Sequence, residues 1–224
     1  FRINFSTASN KNLLELANEV GCKKFIFASS SSVYGENKNI PWREDDQNLM
    51  PISPYGSSKI TGELLGRIYS QLHNLQFIGL RFFSVYGPGQ RPDLVLHKFT
   101  KLISEGSPIN IYGNGKSKRD YTFIEDIVSG IIAAFNYSGS QFEIINLGNN
   151  EPVDLRSLIR NLEKVLGKKA IINHLPERAG DAPITFADIG KAQKLLNYQP
   201  RTRFLEGLQK FAVWFKQPNE KPKK

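Results

Sequence analysis

The sequence predicts an α/β protein, with part of a doubly wound parallel sheet first and a smaller mixed α/β lobe after it. Three observations lead there. The run Phe25-Ile26-Phe27-Ala28 is apolar at every position, which suits a strand covered on both faces. A helical stretch and a second apolar run, Phe77 to Val85, come next, and strand, helix, strand in that order reads as a parallel βαβ unit. After Gly87-Pro88-Gly89 the pattern turns to short alternating strands and amphipathic helices, the mark of a second lobe.

Taken in order, the first helix spans roughly Asn10 to Val20, with Leu13, Leu16, Ala17 and Val20 at helical spacing and Gly21 ending it. Cys22, between that helix and the first strand, reads as core filler. A serine-rich turn and a proline-containing loop lead to a helix starting near Tyr55, with Ile60, Leu64, Leu65 and Ile68 expected to face inward. Asp93 is expected to cap a helix running through Ile103, with Gly106 just past its end. Ile109 and Ile111 alternate with polar residues in a short strand. Ile124, Ile127, Val128, Ile131, Ile132 and Phe135 mark an amphipathic helix, and Phe142 to Leu147 reads as another strand. Asp154 caps a helix bearing Leu155, Leu158, Ile159, Leu162, Val165 and Leu166, and two smaller helices follow near Ile189–Leu196 and Leu205–Phe215. Residues 1–90 form the first unit and 91–216 the second, with some elements of the second able to return to the first sheet. Their join, near Gly87 to Asp93, should flank a cleft. The tail from Gln217 to Lys224 has low hydrophobicity and reads as disordered.

Composition bounds the function. An apolar share of 40% with 23% charged residues over 224 residues is that of a globular protein, and no run of about 18 apolar residues suggests a membrane span. Phe1 to Ser9 is polar and mixed and does not read as a signal peptide. A single cysteine fits a reducing compartment, so a cytoplasmic location is expected. The net charge of +9 raises nucleic acid as a partner, but the basic residues are spread along the chain and carry no nucleic-acid motif, so none is expected. No metal is expected either.

The pattern that carries chemistry is Tyr55-Gly56-Ser57-Ser58-Lys59. Residues four apart share one helix face, one turn apart. An ammonium beside a phenol stabilises the phenolate, which makes the phenol usable as a base near neutral pH. In a chain with eight tyrosines the spacing alone is weak evidence. The first strand, however, runs into Ser29-Ser30-Ser31-Ser32-Val33-Tyr34-Gly35, and the C-terminal ends of such strands are where ligands bind. A serine there could meet a sugar hydroxyl beside Tyr55.

FASSSSVYG, SPYGSSK, LRFFSVYGPGQRPD, RDYTFIEDI and ERAGDAPITFADIGKAQKLL, in that order, resemble the extended short-chain dehydrogenase/reductases that act on nucleotide sugars, the NAD-dependent epimerase/dehydratase family. The resemblance covers the chain up to the tail and implies a Rossmann-like sheet of which this chain holds the C-terminal half. It implies that Ser30 is the catalytic serine, Tyr55 the catalytic base and acid, and Lys59 the lysine that bonds the nicotinamide ribose and tunes the tyrosine. Phe83 matches the position that lies against the nicotinamide, and Ser84 falls near the sugar and phosphates. Tyr112 matches an aromatic near the uracil, Arg119 and Arg178 match arginines on the diphosphate, and Asp181 sits in the same ligand-binding segment. A guanidinium suits a diphosphate because its planar fork donates in pairs.

Members that dehydrate or decarboxylate the sugar carry carboxylates where this chain has Ser31 and Ser32. Elimination therefore lacks its acid and base, and a plain 4-epimerase remains. The segment from Leu80 to Asp93 looks most like UDP-glucuronate 4-epimerases and related UDP-hexose 4-epimerases, working through a transient 4-keto sugar with NAD. Arg91 could meet a uronate carboxylate, or simply belong to a helix start. A homodimer is expected for the full-length protein.

The chain also departs from the family. It has no Gly-x-x-Gly-x-x-Gly turn for the NAD pyrophosphate, and Ser6 stands where an asparagine is common. Two explanations compete: a fragment of a longer enzyme, which the otherwise intact motifs favour, or a natural short protein that only binds a nucleotide sugar or a protein partner. A reductase or synthase of the same superfamily is the alternative chemistry. Either way, Phe25–Ala28 should be the exposed edge of its sheet, a site for strand pairing or aggregation.

Overall fold

The computed structural model describes residues 2–176 and 183–217, with side chains from residue 8 onward. It is mixed α/β with a parallel sheet at its centre. The chain begins with helix α1 (Arg2–Glu19), longer at its start than the sequence suggested. Strand β1 (Lys24–Ser30) follows and leads through a 3-10 turn (Ser31–Val33) and a long loop to helix α2 (Pro54–His73). Strand β2 (Gln76–Phe82) pairs with β1 in parallel, Ser29 opposite Arg81 and Ser30 opposite Phe82. The second apolar run breaks at Phe83, and its remainder is strand β3 (Ser84–Tyr86) in a different sheet.

The second half contributes helix α3 (Val95–Glu105), strand β4 (Ile109–Tyr112), strand β5 (Lys118–Phe123) and helix α4 (Ile124–Asn136). Strand β6 (Phe142–Leu147) returns to the first sheet, whose order is β1-β2-β6, all parallel. Strand β7 (Pro152–Asp154) runs antiparallel to β5, which pairs in parallel with β3. Helix α5 (Leu155–Leu166), strand β8 (Ile172–Leu175) beside β4, and helices α6 (Gly190–Leu196) and α7 (Phe204–Lys216) complete the lobe.

Alternation along the strands builds two cores on the first sheet. Phe27 and Phe77 point toward α1 and α2 and pack with Leu14, Ala17 and Leu75. Ile78 and Leu80 point the other way, toward Ile127 and Ala134 of α4. A third core, around Tyr86, Phe99, Leu158 and Phe211, holds the lobe together. Burial of each such large apolar side chain contributes about 1.5–3 kcal/mol.

Several expectations are corrected here. Helix α2 buries Gly56, Ser58, Gly62, Glu63, Gly66 and Ser70, while Leu64 and Ile68 face out. The cause is close packing: a β-carbon at Gly62 would lie 2.4 Å from the Phe27 ring, and one at Gly66 would lie 2.1 Å from the Phe77 ring. The large rings of the sheet thus fill the space, and only small helix residues fit against them. On α1 the inward face is Leu14 and Ala17, leaving Leu13, Leu16 and Val20 exposed. Asp93 does not cap α3. Leu94 holds the N-cap position, and the Asp93 carboxylate instead pairs with Arg91 at 3.0 Å. Cys22 is exposed, because the turn after Gly21 (φ 71°) carries it out of the core. Among the described residues, no helix is long and apolar enough to cross a membrane.

Candidate functional site

Two regions carry the expected residues. The first lies where β1 ends. Ser30 is buried, and its extended backbone makes it the cap of the 3-10 turn: its Oγ accepts from the Ser32 N–H at 3.2 Å and donates to Ser32 Oγ at 3.1 Å. Helix α2 starts beside that turn. Ser53 caps it, accepting from the Gly56 N–H at 3.1 Å, and Pro54 at the first position has no N–H to leave unsatisfied. Gly56 rests directly on the turn, since a β-carbon there would lie 2.5 Å from the Ser32 carbonyl oxygen. The contact sets the residue after Tyr55 against the loop that Ser30 caps.

Tyr55 itself is 54% exposed, its ring facing outward from the first helical turn. One turn on, Lys59 donates to the Ala28 carbonyl at 2.8 Å, and its Nζ lies 5.4 Å from the Tyr55 ring centre and 5.1 Å from that of Phe27. Burial lowers the Lys59 pKa from its ordinary value. The lysine therefore bridges the tyrosine to the strand tip two residues before Ser30. Tyr55, Lys59 and Ser30 share one neighbourhood, held from two sides by the contacts to Ala28 and Ser32.

Phe83 follows β2 and is 1% exposed, packed against Tyr34 and Trp42 with ring centres 6.4 and 6.1 Å away. As folded it presents almost no surface to a ligand. Ser84, half-buried, opens β3 opposite Tyr121.

The second region is a cavity of about 350 Å³ in the lobe, lined among others by Asp93, Lys98, Asn110, Tyr112, Arg119 and Tyr121. It brings Tyr112 and Arg119 together although they lie on different strands. Tyr112 ends β4 with its ring 47% exposed, and Arg119 is half-buried on β5, its Nη1 donating to the Lys118 carbonyl at 2.9 Å. Asp93, near the join between the two units, lines the same cavity. Arg91 is exposed and already engaged by Asp93. Arg178 and Asp181 lie outside the described residues, as does the side chain of Ser6.

Three participants escaped the sequence reading. Lys98 and Tyr121 add a cation and a second aromatic to the cavity; Lys98 stood in no motif read as a site, and Tyr121, two residues after Arg119 in the RDYTFIEDI motif, was given no role. Glu63, four residues after Lys59, forms a buried bidentate pair with Arg81, at 2.9 and 2.7 Å, and accepts from Ser29 Oγ at 2.5 Å. Its spacing from Tyr55 and Lys59, eight and four residues, was the available signal.

The family model of the NAD dependent epimerase/dehydratase family matches residues 3–148. An uncharacterized protein of Methanocaldococcus jannaschii is 45% identical over 204 residues, covering 91% of this chain and 62% of that protein. The UDP-glucuronate 4-epimerase of Thermodesulfobacterium geofontis is 42% identical over 207 residues, covering 92% of this chain and 63% of that protein. Among solved structures, the UDP-glucuronic acid 4-epimerase from Bacillus cereus in complex with UDP-glucuronic acid and NAD superposes with a TM-score of 0.89 at 38% identity, over 95% of this chain and 67% of that one. The chain thus spans less than two thirds of the length of these two curated relatives.

Proposed function

From the premise that the chain belongs to the NAD dependent epimerase/dehydratase family, we propose that it carries the catalytic centre and nucleotide-sugar cavity of a UDP-sugar 4-epimerase, cytoplasmic and dependent on NAD. The observation that carries the reading is the placement of Lys59, in contact with both the Tyr55 ring and the carbonyl at the tip of β1.

The donors present fit one end of the cofactor. Lys59 and Tyr55 stand together at the strand tip, where an ammonium and a phenol can hold a ribose diol. The chain has no glycine-rich turn for the pyrophosphate. NAD, when bound, supplies the hydride acceptor and donor. The protein's own part is proton transfer and placement. Tyr55 takes the proton of the sugar C4 hydroxyl and returns it after the 4-keto sugar has turned over. Ser30 offers a hydroxyl to the same oxygen once it leaves Ser32. Lys59 keeps positive charge beside the phenolate as it forms.

The lobe cavity suits the nucleotide: Tyr112 and Tyr121 offer faces for a uracil, and Arg119 and Lys98 offer charge for a diphosphate. Anchoring there leaves the sugar free to rotate. In the same reading Arg178 and Asp181 assist at the diphosphate and Ser84 lies near the sugar, while Phe83, buried against Tyr34 and Trp42, is left without a ligand contact. Ser31 and Ser32, in place of carboxylates, argue against dehydration and decarboxylation. The close UDP-glucuronate epimerase relatives support a uronic acid as the sugar.

The assembly proposed is a homodimer through α1 and α2. These paired helices expose Leu13, Leu16 and Val20 on one and Leu64, Ile68 and Leu72 on the other. A second copy would cover apolar stripes of this kind.

Calorimetric titration with UDP, UDP-glucuronate and UDP-glucose tests the cavity. Binding is expected, with Arg119→Ala weakening it about tenfold through the lost charged hydrogen bonds. No heat with any of the three would sink the reading. With NAD added, conversion at C4 read by proton NMR tests the chemistry, and Tyr55→Phe should lower it by a factor of about 10² or more.

A further inference from the structure

We propose that Glu63 is a positioning residue for the centre, its one carboxylate fixing how α2 sits on the tip of β1. The proposal rests on the reading of Tyr55, Lys59 and Ser30 given above. Tyr55, Lys59 and Glu63 follow one another at successive turns along one face of α2. Ser29 and Arg81 are opposite each other in the β1–β2 register, so both side chains point to the same face of the sheet, the face that α2 covers. Glu63 takes both: Ser29 Oγ donates to Oε1 at 2.5 Å, Arg81 Nε to Oε1 at 2.9 Å, and Arg81 Nη2 to Oε2 at 2.7 Å. All three residues are buried, so the bonds are little screened.

The geometry explains why so short a reach suffices. Gly62 and Gly66 flank Glu63 and let α2 settle onto the Phe27 and Phe77 rings. The Glu63 carboxylate is then the one acidic group among the buried residues of α2, bonded to both strands beside those rings. Ser29 is the residue before Ser30, and Lys59 is one turn before Glu63 and reaches the carbonyl just before Ser29. A shift of the helix along the strand would break the Ser29 bond and move Lys59 and Tyr55 relative to Ser30 together. The Arg81 pair locks the same carboxylate to β2, so the helix cannot rotate to follow β1 alone.

The test reads Lys59 directly. Lys59 faces the Tyr55 ring from its own helix and the Phe27 ring and Ala28 carbonyl from β1, and burial is the cause of its lowered pKa. Its Cε resonance, assigned with Lys59→Arg, is followed by NMR against pH in the whole chain and in Ser29→Ala, which keeps the Glu63–Arg81 pair. The expected result is that the Lys59 midpoint in Ser29→Ala moves up toward that of the exposed lysines, and that Ser29→Thr restores it. In any preparation that turns over a UDP-sugar with NAD, Ser29→Ala lowers kcat about tenfold or more with KM little changed. A Ser29→Ala chain with a lower Tm but an unmoved Lys59 midpoint overturns the proposal, since Ser29 would then add stability alone. Glu63→Gln serves as a second probe with the same expected direction. If Lys59 responds while Tyr55→Phe keeps full turnover, the catalytic reading fails and the coupling between α2 and β1 stands.

Discussion

Asp120 sits immediately after Arg119 with its carboxylate fully buried, accepting backbone N–H groups from Asn149 at 2.7 Å, Asn150 at 3.1 Å and Ala187 at 3.1 Å. Burial pushes its pKa up to about 6, and the three bonds hold it back from rising further. Between roughly pH 4 and 6 the folded chain therefore keeps a proton that the unfolded chain has released. The resulting stabilisation is complete below about pH 4 and is lost as pH rises toward 6, with an upper limit of roughly 3 kcal/mol. Melting curves across that window should show this fall, and Asp120→Asn should lack it while lowering Tm overall. Asp120 ties β5 to the turn after β6 and to the segment around Ala187, so its loss should also loosen the wall of the lobe next to Arg119. None of this is visible in the RDY triplet itself, where Asp120 is one charged residue among many. Its role depends on N–H groups 29 to 67 positions away.

At the scale of elements, α2 shows how a correct helix can be read with the wrong face. Its start near Tyr55 was legible from the helical spacing that follows, and the structure places the Ser53 cap and Pro54 just before it. Its buried face was not legible, because periodicity marks where apolar residues recur and not which neighbour covers them. The small residues take the sheet side because Phe27 and Phe77 already fill it. Gly66→Ala is expected to cost about 1–3 kcal/mol, since the added methyl would press on the Phe77 ring 2.1 Å away, and chemical denaturation would show it as a lower midpoint. An equivalent change at an exposed position of the same helix, such as Ser57→Ala, should cost little. β1 was legible as a strand and as an edge: it pairs with β2 on one side and closes the sheet order on the other. As the end strand of that order, β1, with the apolar Val128, Ile132 and Phe135 exposed on α4, is a route to strand pairing.

Among the described residues, α1, α2 and α4 each present exposed apolar side chains, and on α2 these include Leu64 and Ile68, which their spacing had pointed inward. Such area in a chain of this size predicts association in solution. Light scattering after gel filtration should give a mass above that of one chain, and Leu64→Glu with Ile68→Glu should shift it toward the monomer if α2 is the interface. A wild-type chain that runs as a monodisperse monomer and melts cooperatively would count against both the dimer and the sticky edge. The two candidate regions also belong to this scale: the strand-tip region is built from the first sheet and α2, and the cavity lined by Tyr112 and Arg119 from the lobe.

Fold class and the Tyr55–Lys59 spacing were determined by the sequence alone, because each follows from local pattern: apolar runs for covered strands, four-residue separation for a shared face. Only the tertiary structure decided which stripe lies inward, that Ser30 spends its hydroxyl on Ser32, that Phe83 is buried, and that Glu63 joins Ser29 to Arg81. Those outcomes depend on the volume and polarity of groups distant in sequence, and local periodicity carries no information about them.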